Sequence, residues 1–335
     1  MKTNKTLRRF AAAVLAGTMM LAMSTSAFAA DVTEPSDNGG IQVTLTKKVT
    51  AEKNVKAPNT TFTFKIANGN GTTDNEVVIY SGITDGAFFG EGANIITFTP
   101  TDSTLEKTTA INFDVERFEK PGVYRYVITE TVGAYDGITY DSSQYYMDVY
   151  VVNGDKGLKI DAVTTTKTNE TEKSDLVFEN KYATNNLTLE KVVAGNQANM
   201  NQKFKFEITV NGANGEQYAT SNSNVVLTSK ETTTVELGNN ETITVYGLSA
   251  GDTYTIVEKD NSDDGYETKI NGADETDKLT ATGNVADEDD TVVYTNTKEV
   301  TTPTGIITNV LPYVLMVAVA AALVVVFLRK REYDK

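Results

Sequence analysis

The sequence predicts an all-β protein made of two tandem β-sandwich domains, with a secretion-signal helix before them and a membrane-spanning helix after them. Alternating runs rich in Thr, Val, Tyr and Phe fill the middle of the chain, a pattern typical of half-buried strands. Asn-Gly, Asp-Gly and Gly-Asn dipeptides interrupt these runs and indicate turns. Several motifs also occur twice, which indicates two copies of one domain. Residues 30–304 suit two domains of about 100 to 150 residues each.

The first residues have the organisation of a secretory signal peptide. A basic stretch at residues 2–9 precedes an apolar run at residues 10–23, and the small-residue site Ala27-Phe28-Ala29 follows. Because these three features occur in this order, we expect residues 1–29 to be removed on secretion rather than to form a buried N-terminal helix. Residues 30–40 are predicted to be a flexible lead.

Six segments of the first block and seven of the second have the alternation expected of strands. In the first block they are Ile41–Val49, Thr61–Ile66, Ile95–Phe98, Val123–Glu130, Tyr145–Val152 and Leu176–Asn180. In the second block they are Leu187–Val193, Phe204–Val210, Asn224–Leu227, Thr232–Leu237, Thr242–Tyr246, Tyr254–Glu258 and Thr291–Asn296. We therefore place an N-terminal sandwich at residues 41–182 and a C-terminal sandwich at residues 183–298.

Matching motifs link the two blocks. Thr61-Phe62-Thr63-Phe64 recurs as Lys203-Phe204-Lys205-Phe206, and the turn dipeptide Asp136-Gly137 recurs as Asp264-Gly265. The distance between corresponding motifs shrinks along the chain. We expect the second copy to have shorter loops on the same scaffold.

Each block also contains a lysine, a glutamate and an asparagine that share strand parity with apolar neighbours. The two sets are Lys47, Glu130 and Asn180, then Lys191, Glu258 and Asn296. Side chains alternate between the two faces of a strand, so these polar groups should face the core. Lys48 has the opposite parity and should face outward. A buried ammonium or carboxylate needs compensation, either as a buried ion pair or through a reaction that removes the charges.

The residue types in each set suggest such a reaction. A lysine amine is nucleophilic only when neutral, and burial lowers its pKa while it raises that of a carboxyl group. A neutral amine could then attack the asparagine carbonyl while the glutamic acid hydrogen-bonds the carbonyl oxygen and shuttles protons. Ammonia would leave, and the product would be an uncharged Lys–Asn isopeptide bond.

The C-terminal residues 299–335 have the features of a membrane-tethered surface protein. Residues 310–328 contain no charge and would extend about 28 Å as a helix, enough to cross a hydrocarbon core. The tail at residues 329–335 begins with three basic residues, which should stay in the cytoplasm. Before the span lies Thr301-Thr302-Pro303-Thr304-Gly305.

Together these features resemble the cell-wall sorting signal of Gram-positive surface proteins. The resemblance implies that a sortase cleaves between Thr304 and Gly305, transfers the new carboxyl end to an amine, and so leads to attachment to peptidoglycan. The commonest form of the signal is Leu-Pro-x-Thr-Gly, whereas Thr304 follows Pro303 directly, so the class of sortase is not specified. A simple single-span membrane protein is the alternative.

Composition excludes several classes of function. Histidine, cysteine and tryptophan are absent, which removes Ser-His-Asp triads, Cys-His dyads and imidazole metal sites. We expect no metal and no cofactor; the acidic run at residues 260–265 is interpreted as a solvated turn rather than a calcium loop. A secreted chain without disulfides leaves a role for another covalent tie. The net charge of −15 argues against nucleic acid as a partner.

The chain resembles the two-domain backbone pilins of Gram-positive pili, notably the streptococcal T-antigen type. The likeness rests on the two sets above and on motifs such as Gly122-Val123-Tyr124-Arg125-Tyr126 and Asp136-Gly137-Ile138-Thr139-Tyr140, and it extends over nearly the whole chain. It implies Ig-like or Cna-B-like sandwiches, each with an autocatalytic isopeptide bond between its first and last strands. These bonds would be Lys47–Asn180 with Glu130 and Lys191–Asn296 with Glu258.

The same resemblance implies that subunits join covalently into an extracellular pilus. In T-antigen-type pilins, a lysine shortly before the last strand of the first domain accepts the sortase-activated threonine of the next subunit. Lys173 has this position, and Lys167 and Lys181 are alternatives. The Tyr-Pro-Lys motif of other pilin classes is absent. The intermolecular link would then join Lys173 to Thr304.

Two other classes of function remain open at this point. The chain could be a wall-anchored adhesin or pilus-tip protein that uses the same folds without polymerising, although the sequence contains no mark of a host-ligand site. An enzyme acting on an external substrate is disfavoured, because the candidate reactive groups are buried and would be consumed in a single turnover.

Overall fold

The computed structural model describes residues 32–33, 41–74, 76–259, 264–273, 278–286, 288–300 and 316. The predicted signal peptide, most of the flexible lead, the Thr301–Gly305 motif and the basic tail lie outside the described residues, as does the predicted span apart from Met316. Within the described part of the chain there is no helix long and apolar enough to cross a membrane.

The described residues form 23 strands and one short 3₁₀ helix, Val115–Arg117, so the all-β prediction is confirmed. The first thirteen strands are β1 (Val32–Thr33), β2 (Gln42–Thr50), β3 (Thr60–Asn68), β4 (Thr72–Asp74), β5 (Val77–Ser81), β6 (Ala87–Phe89), β7 (Ile95–Phe98), β8 (Glu106–Phe113), β9 (Gly122–Glu130), β10 (Ile138–Thr139), β11 (Gln144–Gly154), β12 (Gly157–Lys167) and β13 (Val177–Tyr182). The remaining ten are β14 (Asn185–Ala194), β15 (Phe204–Asn211), β16 (Gln217–Ala219), β17 (Val226–Thr228), β18 (Thr232–Leu237), β19 (Glu241–Leu248), β20 (Thr253–Glu258), β21 (Glu267–Ile270), β22 (Thr280–Asn284) and β23 (Asp290–Thr297).

The N-terminal sandwich has two sheets around one core. One sheet has the order β10-β13-β2-β8-β6, with β1 also paired to β2, and the other has the order β12-β11-β9-β3-β7, with β5 paired to β9. The core between them runs from Val43 to Tyr182 and contains Phe62, Phe64 and Phe178. Pairs of aromatic rings, such as Phe64 and Phe178 with centroids 5.4 Å apart, fill the space between the sheets.

The C-terminal sandwich is a smaller version of the same arrangement. Its two main sheets have the orders β19-β14-β23-β21 and β18-β15-β20-β22, and a short β16-β17 pair adds to them. Its core runs from Leu187 to Tyr294 and includes Phe204 and Phe206, which repeat the positions of Phe62 and Phe64.

In both sandwiches the first and last long strands are parallel neighbours. Strand β2 pairs with β13, and β14 pairs with β23. Parallel neighbours cannot be joined by a tight turn, so each pair brings together residues more than 100 positions apart in the sequence. The fold therefore places the predicted lysine and asparagine of each set side by side.

The two sandwiches meet through a buried polar contact. Tyr135 donates a hydrogen bond to Glu216 Oε1 at 3.4 Å, and the hydroxyls of Tyr182 and Ser249 are 3.3 Å apart. The predicted turn at Gly137 lies at this junction with a φ of +79°, and a Cβ there would come within 2.5 Å of the Ala183 carbonyl oxygen. Only glycine fits the turn that holds the junction.

Asp252 lies under this junction, and the charge state of its carboxyl group can be tested. It is 5% exposed and accepts hydrogen bonds from Tyr218 and from the Ser249 N–H, yet burial raises its pKa to about 6, and Glu216 contributes to the rise. A carboxyl group whose pKa is higher in the folded than in the unfolded state stabilises the folded protein fully only below the unfolded pKa. That stabilisation is lost as the pH rises through the folded pKa of about 6.

Replacement of Asp252 with asparagine is therefore expected to raise the free energy of unfolding at pH 7.5 by about 2 kcal/mol. At pH 3 the gain should shrink towards zero, because Asp252 is then protonated in both the folded and the unfolded protein. Thermal unfolding at both pH values checks this, with the exposed Glu231→Gln as a matched control. An equal effect of Asp252→Asn at the two pH values would contradict the assignment.

Candidate functional site

Strand parity buries all six predicted reactive residues. Along β2 the buried positions are Val43, Leu45, Lys47 and Val49, and the Lys47 side chain is inside for the same reason as its apolar neighbours. The other five follow the same alternation in β9, β13, β14, β20 and β23. Five of the six residues are 0% exposed and Glu130 is 8% exposed.

The register of the parallel pairs is the same in the two sandwiches. Phe178 pairs with Lys47, and Asn180 lies two residues further along β13 on the same face. Tyr294 pairs with Lys191, and Asn296 lies two residues further along β23. The lysine and the asparagine are therefore diagonal neighbours within one sheet, while the glutamate reaches them from the facing sheet.

In the N-terminal sandwich Glu130 bridges the other two residues. Its Oε2 is 2.8 Å from Lys47 Nζ, and its Oε1 accepts a hydrogen bond of 2.7 Å from Asn180 Nδ2. The oxygen of the amide, Asn180 Oδ1, accepts a 2.8 Å hydrogen bond from the backbone N–H of Asp141. Every polar atom of this cluster has a partner.

In the C-terminal sandwich the bridge recurs with two differences. Glu258 Oε1 is 3.1 Å from Lys191 Nζ and accepts a 2.8 Å hydrogen bond from Asn296 Nδ2. Asn296 Oδ1 and Glu258 Oε2 are buried, and neither has a hydrogen-bond partner among the described residues. The two sites therefore share the lysine, the glutamate and the asparagine but differ at the carbonyl oxygen and at the second carboxylate oxygen.

One detail of the expected chemistry is wrong. We expected the glutamic acid to hydrogen-bond the asparagine carbonyl oxygen, but Glu130 contacts the amide nitrogen instead. The backbone N–H of Asp141 can only donate, so it fixes the oxygen of Asn180 on its own side and turns the nitrogen towards Glu130. Glu130 thus lies against the atom that would leave.

Aromatic rings close both sites against water. Lys47 Nζ lies 4.5 Å from the centroid of Phe62, and Lys191 Nζ lies 4.4 Å from that of Phe204. These are the phenylalanines of the repeated motif, so the duplication conserves the wall of the site together with its polar groups. A dry wall next to the amine makes its charged form costly.

Burial shifts the acid–base balance at both sites towards uncharged groups. It lowers the pKa of Lys47 and, in the second site, lowers that of Lys191 to about 8, although the paired glutamate opposes the shift in each case. Burial likewise raises the pKa values of Glu130 and Glu258 against the effect of their hydrogen-bond partners. A neutral amine and a protonated carboxyl are the forms that amide attack requires.

The lysines outside the clusters occupy different environments. Lys48 faces outward as predicted and lies 3.5 Å from Glu179. Lys173 is an exposed residue just before β13, where it forms an isolated bridge with Thr166, and partial desolvation of its amine lowers its pKa. Lys167 is half-buried with its amine 5.9 Å from the ring of Tyr145, and Lys181 is exposed on β13. None of these amines belongs to the buried clusters.

Sequence reasoning missed Asp141, which touches the first cluster through its main chain. Its carboxylate accepts hydrogen bonds from the Ser143 and Glu179 N–H groups at 2.7 and 2.9 Å. Burial alone would raise its pKa, but these bonds outweigh burial and lower it. An aspartate two residues before a serine is a common turn feature, so no sequence signal pointed to this contact.

Comparisons with known proteins agree with this architecture. Residues 43–183 match a family model described as a Spy0128-like isopeptide containing domain, and residues 185–298 match a model described as a domain of unknown function (DUF7601). A pilin of Streptococcus pyogenes is 29% identical over 331 residues, which cover 88% of this chain and 92% of the relative. The S. pyogenes pilus tip adhesin Cpa is 30% identical over 193 residues, but these cover only 27% of the adhesin.

Solved structures show the same fold. A crystal structure of the major pilin from S. pyogenes superimposes with a TM-score of 0.57 at 24% identity, covering 78% of this chain and all of the pilin. A second major pilin from the same species gives a TM-score of 0.56 at 26% identity and covers 77% of this chain and 97% of its own. The similarity therefore includes both sandwiches.

Proposed function

We propose that subunits of this protein cross-link themselves internally and are joined into a fibre by sortase, because the chain belongs to the family of streptococcal-type backbone pilins. The protein is a structural subunit rather than an enzyme that turns over an external substrate. The observation behind the proposal is the pair of buried Lys–Glu–Asn clusters, each lying between the first and last strands of a sandwich.

The internal cross-links would be amide bonds between Lys47 and Asn180 and between Lys191 and Asn296. The lysine Nζ lone pair attacks the asparagine Cγ, and the carbonyl electrons move to Oδ1. A proton passes from the amine through the glutamate to Nδ2, the Cγ–Nδ2 bond breaks, and ammonia leaves. The product amide cannot take up a proton as the amine can, so a buried Lys–Glu ion pair and its desolvation penalty can no longer arise.

Geometry supports the glutamates as proton carriers. Glu130 contacts the attacking amine with one oxygen and the leaving nitrogen with the other. Glu258 contacts both with Oε1. A group within hydrogen-bond distance of the donor and the acceptor of the transferred proton meets the geometric requirement for general acid–base catalysis.

The fibre would form when a sortase cleaves between Thr304 and Gly305 and transfers Thr304 to a lysine of the next subunit. Lys173 is the preferred acceptor, because it is exposed and its lowered pKa favours the nucleophilic form. The last subunit would be attached to peptidoglycan, which places the fibre outside the cell. The adhesin alternative is not favoured, since the match to the tip adhesin covers a minor part of that protein.

Blots of cell-wall extracts from a Gram-positive host that produces the chain with its sortase test the assembly. We expect a ladder of SDS-resistant species for the natural chain and its collapse to the single-subunit band for Lys173→Ala. The matched variants Lys167→Ala and Lys181→Ala should retain the ladder. A ladder that survives Lys173→Ala assigns the link to another lysine, whereas a single band for the natural chain contradicts polymerisation and favours the adhesin.

A further inference from the structure

The two clusters differ at the atom where negative charge would develop during amide attack. Asn180 Oδ1 receives the Asp141 N–H at 2.8 Å, whereas Asn296 Oδ1 is buried with no partner among the described residues. When an amine adds to an amide, the carbonyl oxygen becomes an oxyanion. A preorganised donor at this oxygen lowers the barrier of the addition.

We infer that the backbone N–H of Asp141 is the oxyanion donor for cross-linking in the N-terminal sandwich, and that the C-terminal sandwich reacts without an equivalent donor. The inference rests on the proposed isopeptide chemistry and adds a catalytic group to it. Addition of Lys47 Nζ to Asn180 Cγ places the charge on Oδ1, and the N–H holds that charge until the carbonyl reforms and ammonia leaves.

The different lengths of two corresponding strands explain why only one site has the donor. In the N-terminal sandwich β10 ends at Thr139, which pairs with Lys181, and the chain then leaves the sheet. The N–H of Asp141 is thereby directed to a side chain. In the C-terminal sandwich β21 continues to Ile270, and Thr268 pairs directly with Asn296. A backbone that stays in the sheet continues to pair with the neighbouring main chain.

The Asp141 carboxylate holds this donor in place. One of its oxygens accepts the Ser143 N–H at 2.7 Å, and the other accepts the Glu179 N–H at 2.9 Å. Since Glu179 precedes Asn180 in β13, the second bond ties the loop to the strand that contains the reacting amide. The loop and the amide therefore keep a fixed separation before the reaction begins.

Glu130 and Asp141 divide the work at the first site. Glu130 contacts the two nitrogens, and Asp141 supplies the only donor seen at the oxygen among the described residues. In the second site Glu258 must act alone on both nitrogens while the oxygen has no partner. Loss of one donor from an oxyanion site typically slows a reaction about 100-fold or more.

The test compares the rates of the two cross-links within one molecule. The full chain is translated cell-free in the presence of a mild detergent, in a short pulse, and samples are denatured at intervals. After proteolysis, mass spectrometry measures the cross-linked peptide containing Lys47 and Asn180 and the one containing Lys191 and Asn296. The rate of formation of the second bond is an internal reference, which corrects for differences in folding and in sample handling.

The decisive variant replaces the amide N–H of Asp141 with an ester oxygen by incorporating the α-hydroxy analogue of aspartate, which keeps the carboxylate. We expect the first bond to form about 100-fold more slowly relative to the second. The same ester exchange at Lys269, the corresponding position of β21, should leave both rates unchanged. A merely structural role of Asp141 would instead reduce protease resistance without a selective change in the first bond.

Asp141→Ala provides a second variant, because it keeps the N–H and removes both hydrogen bonds that orient it. It should also slow the first bond selectively. The inference is overturned if both Asp141 variants keep the natural ratio of the two rates. If the natural chain forms neither cross-linked peptide, the proposed isopeptide chemistry itself fails, which is a different outcome.

Discussion

Replacement of Glu130 with alanine is expected to abolish the first cross-link and leave the second intact. The natural ectodomain should be lighter than its sequence mass by two molecules of ammonia, about 17 Da each, because each bond releases one. Glu130→Ala removes the group that takes the amine proton and returns it to Nδ2, so its protein should lack only one ammonia. Glu258→Ala should likewise lack one, and the double variant none. Intact mass spectrometry of residues 30–304 measures all four proteins.

The outward-facing counterparts of the first cluster are matched controls for this experiment. Lys48 and Glu179 neighbour Lys47 and Asn180 on the same strands but lie on the solvent side and pair with each other. Lys48→Ala and Glu179→Gln should therefore retain both losses of ammonia, whereas Lys47→Ala should retain one. An unshifted mass for the natural protein would refute both internal cross-links.

Loss of a cross-link is also expected to lower stability strongly. Asn180→Ala and Asn296→Ala remove the electrophile and leave each buried Lys–Glu pair in place, so they report on the bond more cleanly than glutamate variants. Closure of a loop of more than 100 residues stabilises a protein by about 5 kcal/mol in the chain-entropy model, largely by restricting the unfolded chain. Each substitution should lower the unfolding free energy by about this amount, and by a further 1 to 2 kcal/mol for the lost packing. Calorimetry and urea unfolding measure the change.

A second variant of the same cluster supplies the control for the stability measurement. Glu130→Gln also prevents the bond but keeps the size of the side chain, so its stability should fall close to that of Asn180→Ala. If Asn180→Ala loses only the 1 to 2 kcal/mol expected from packing, no bond was present in the natural protein. The stability measurement and the mass measurement must therefore agree.

Much of the architecture and of the site could be predicted from the sequence, because side chains alternate between the two faces of a strand. Lys47 and Lys191 alternate with valines and leucines, so their burial follows from the two-residue period of a strand, as does the exposure of Lys48. All thirteen predicted strands are present, and each end lies within two residues of its predicted position. The duplication then paired each lysine with its glutamate and asparagine, because corresponding residues recur in corresponding strands.

Other features depend on tertiary contacts that the two-residue period of a strand does not encode. Strand β12 is half-exposed along most of its length and lacks a clear alternation, and β10 has only two residues, so neither was predicted. The contact between Asp141 and Asn180 spans 39 positions and uses a backbone N–H, which no residue type identifies. The Glu216–Tyr135 contact between the sandwiches was missed because a buried glutamate in a loop resembles a solvated one in sequence.

The parallel pairing of first and last strands determines how such a fibre would respond to tension. If neighbouring subunits are joined between Lys173 and Thr304, the pull follows β13 into β14 and crosses at Lys191 to Asn296. The other strands of both sandwiches lie outside this path and do not transmit the force. A subunit would then have almost no slack to release, and the fibre would behave as a chain of rigid links that resists lengthening until a covalent bond breaks.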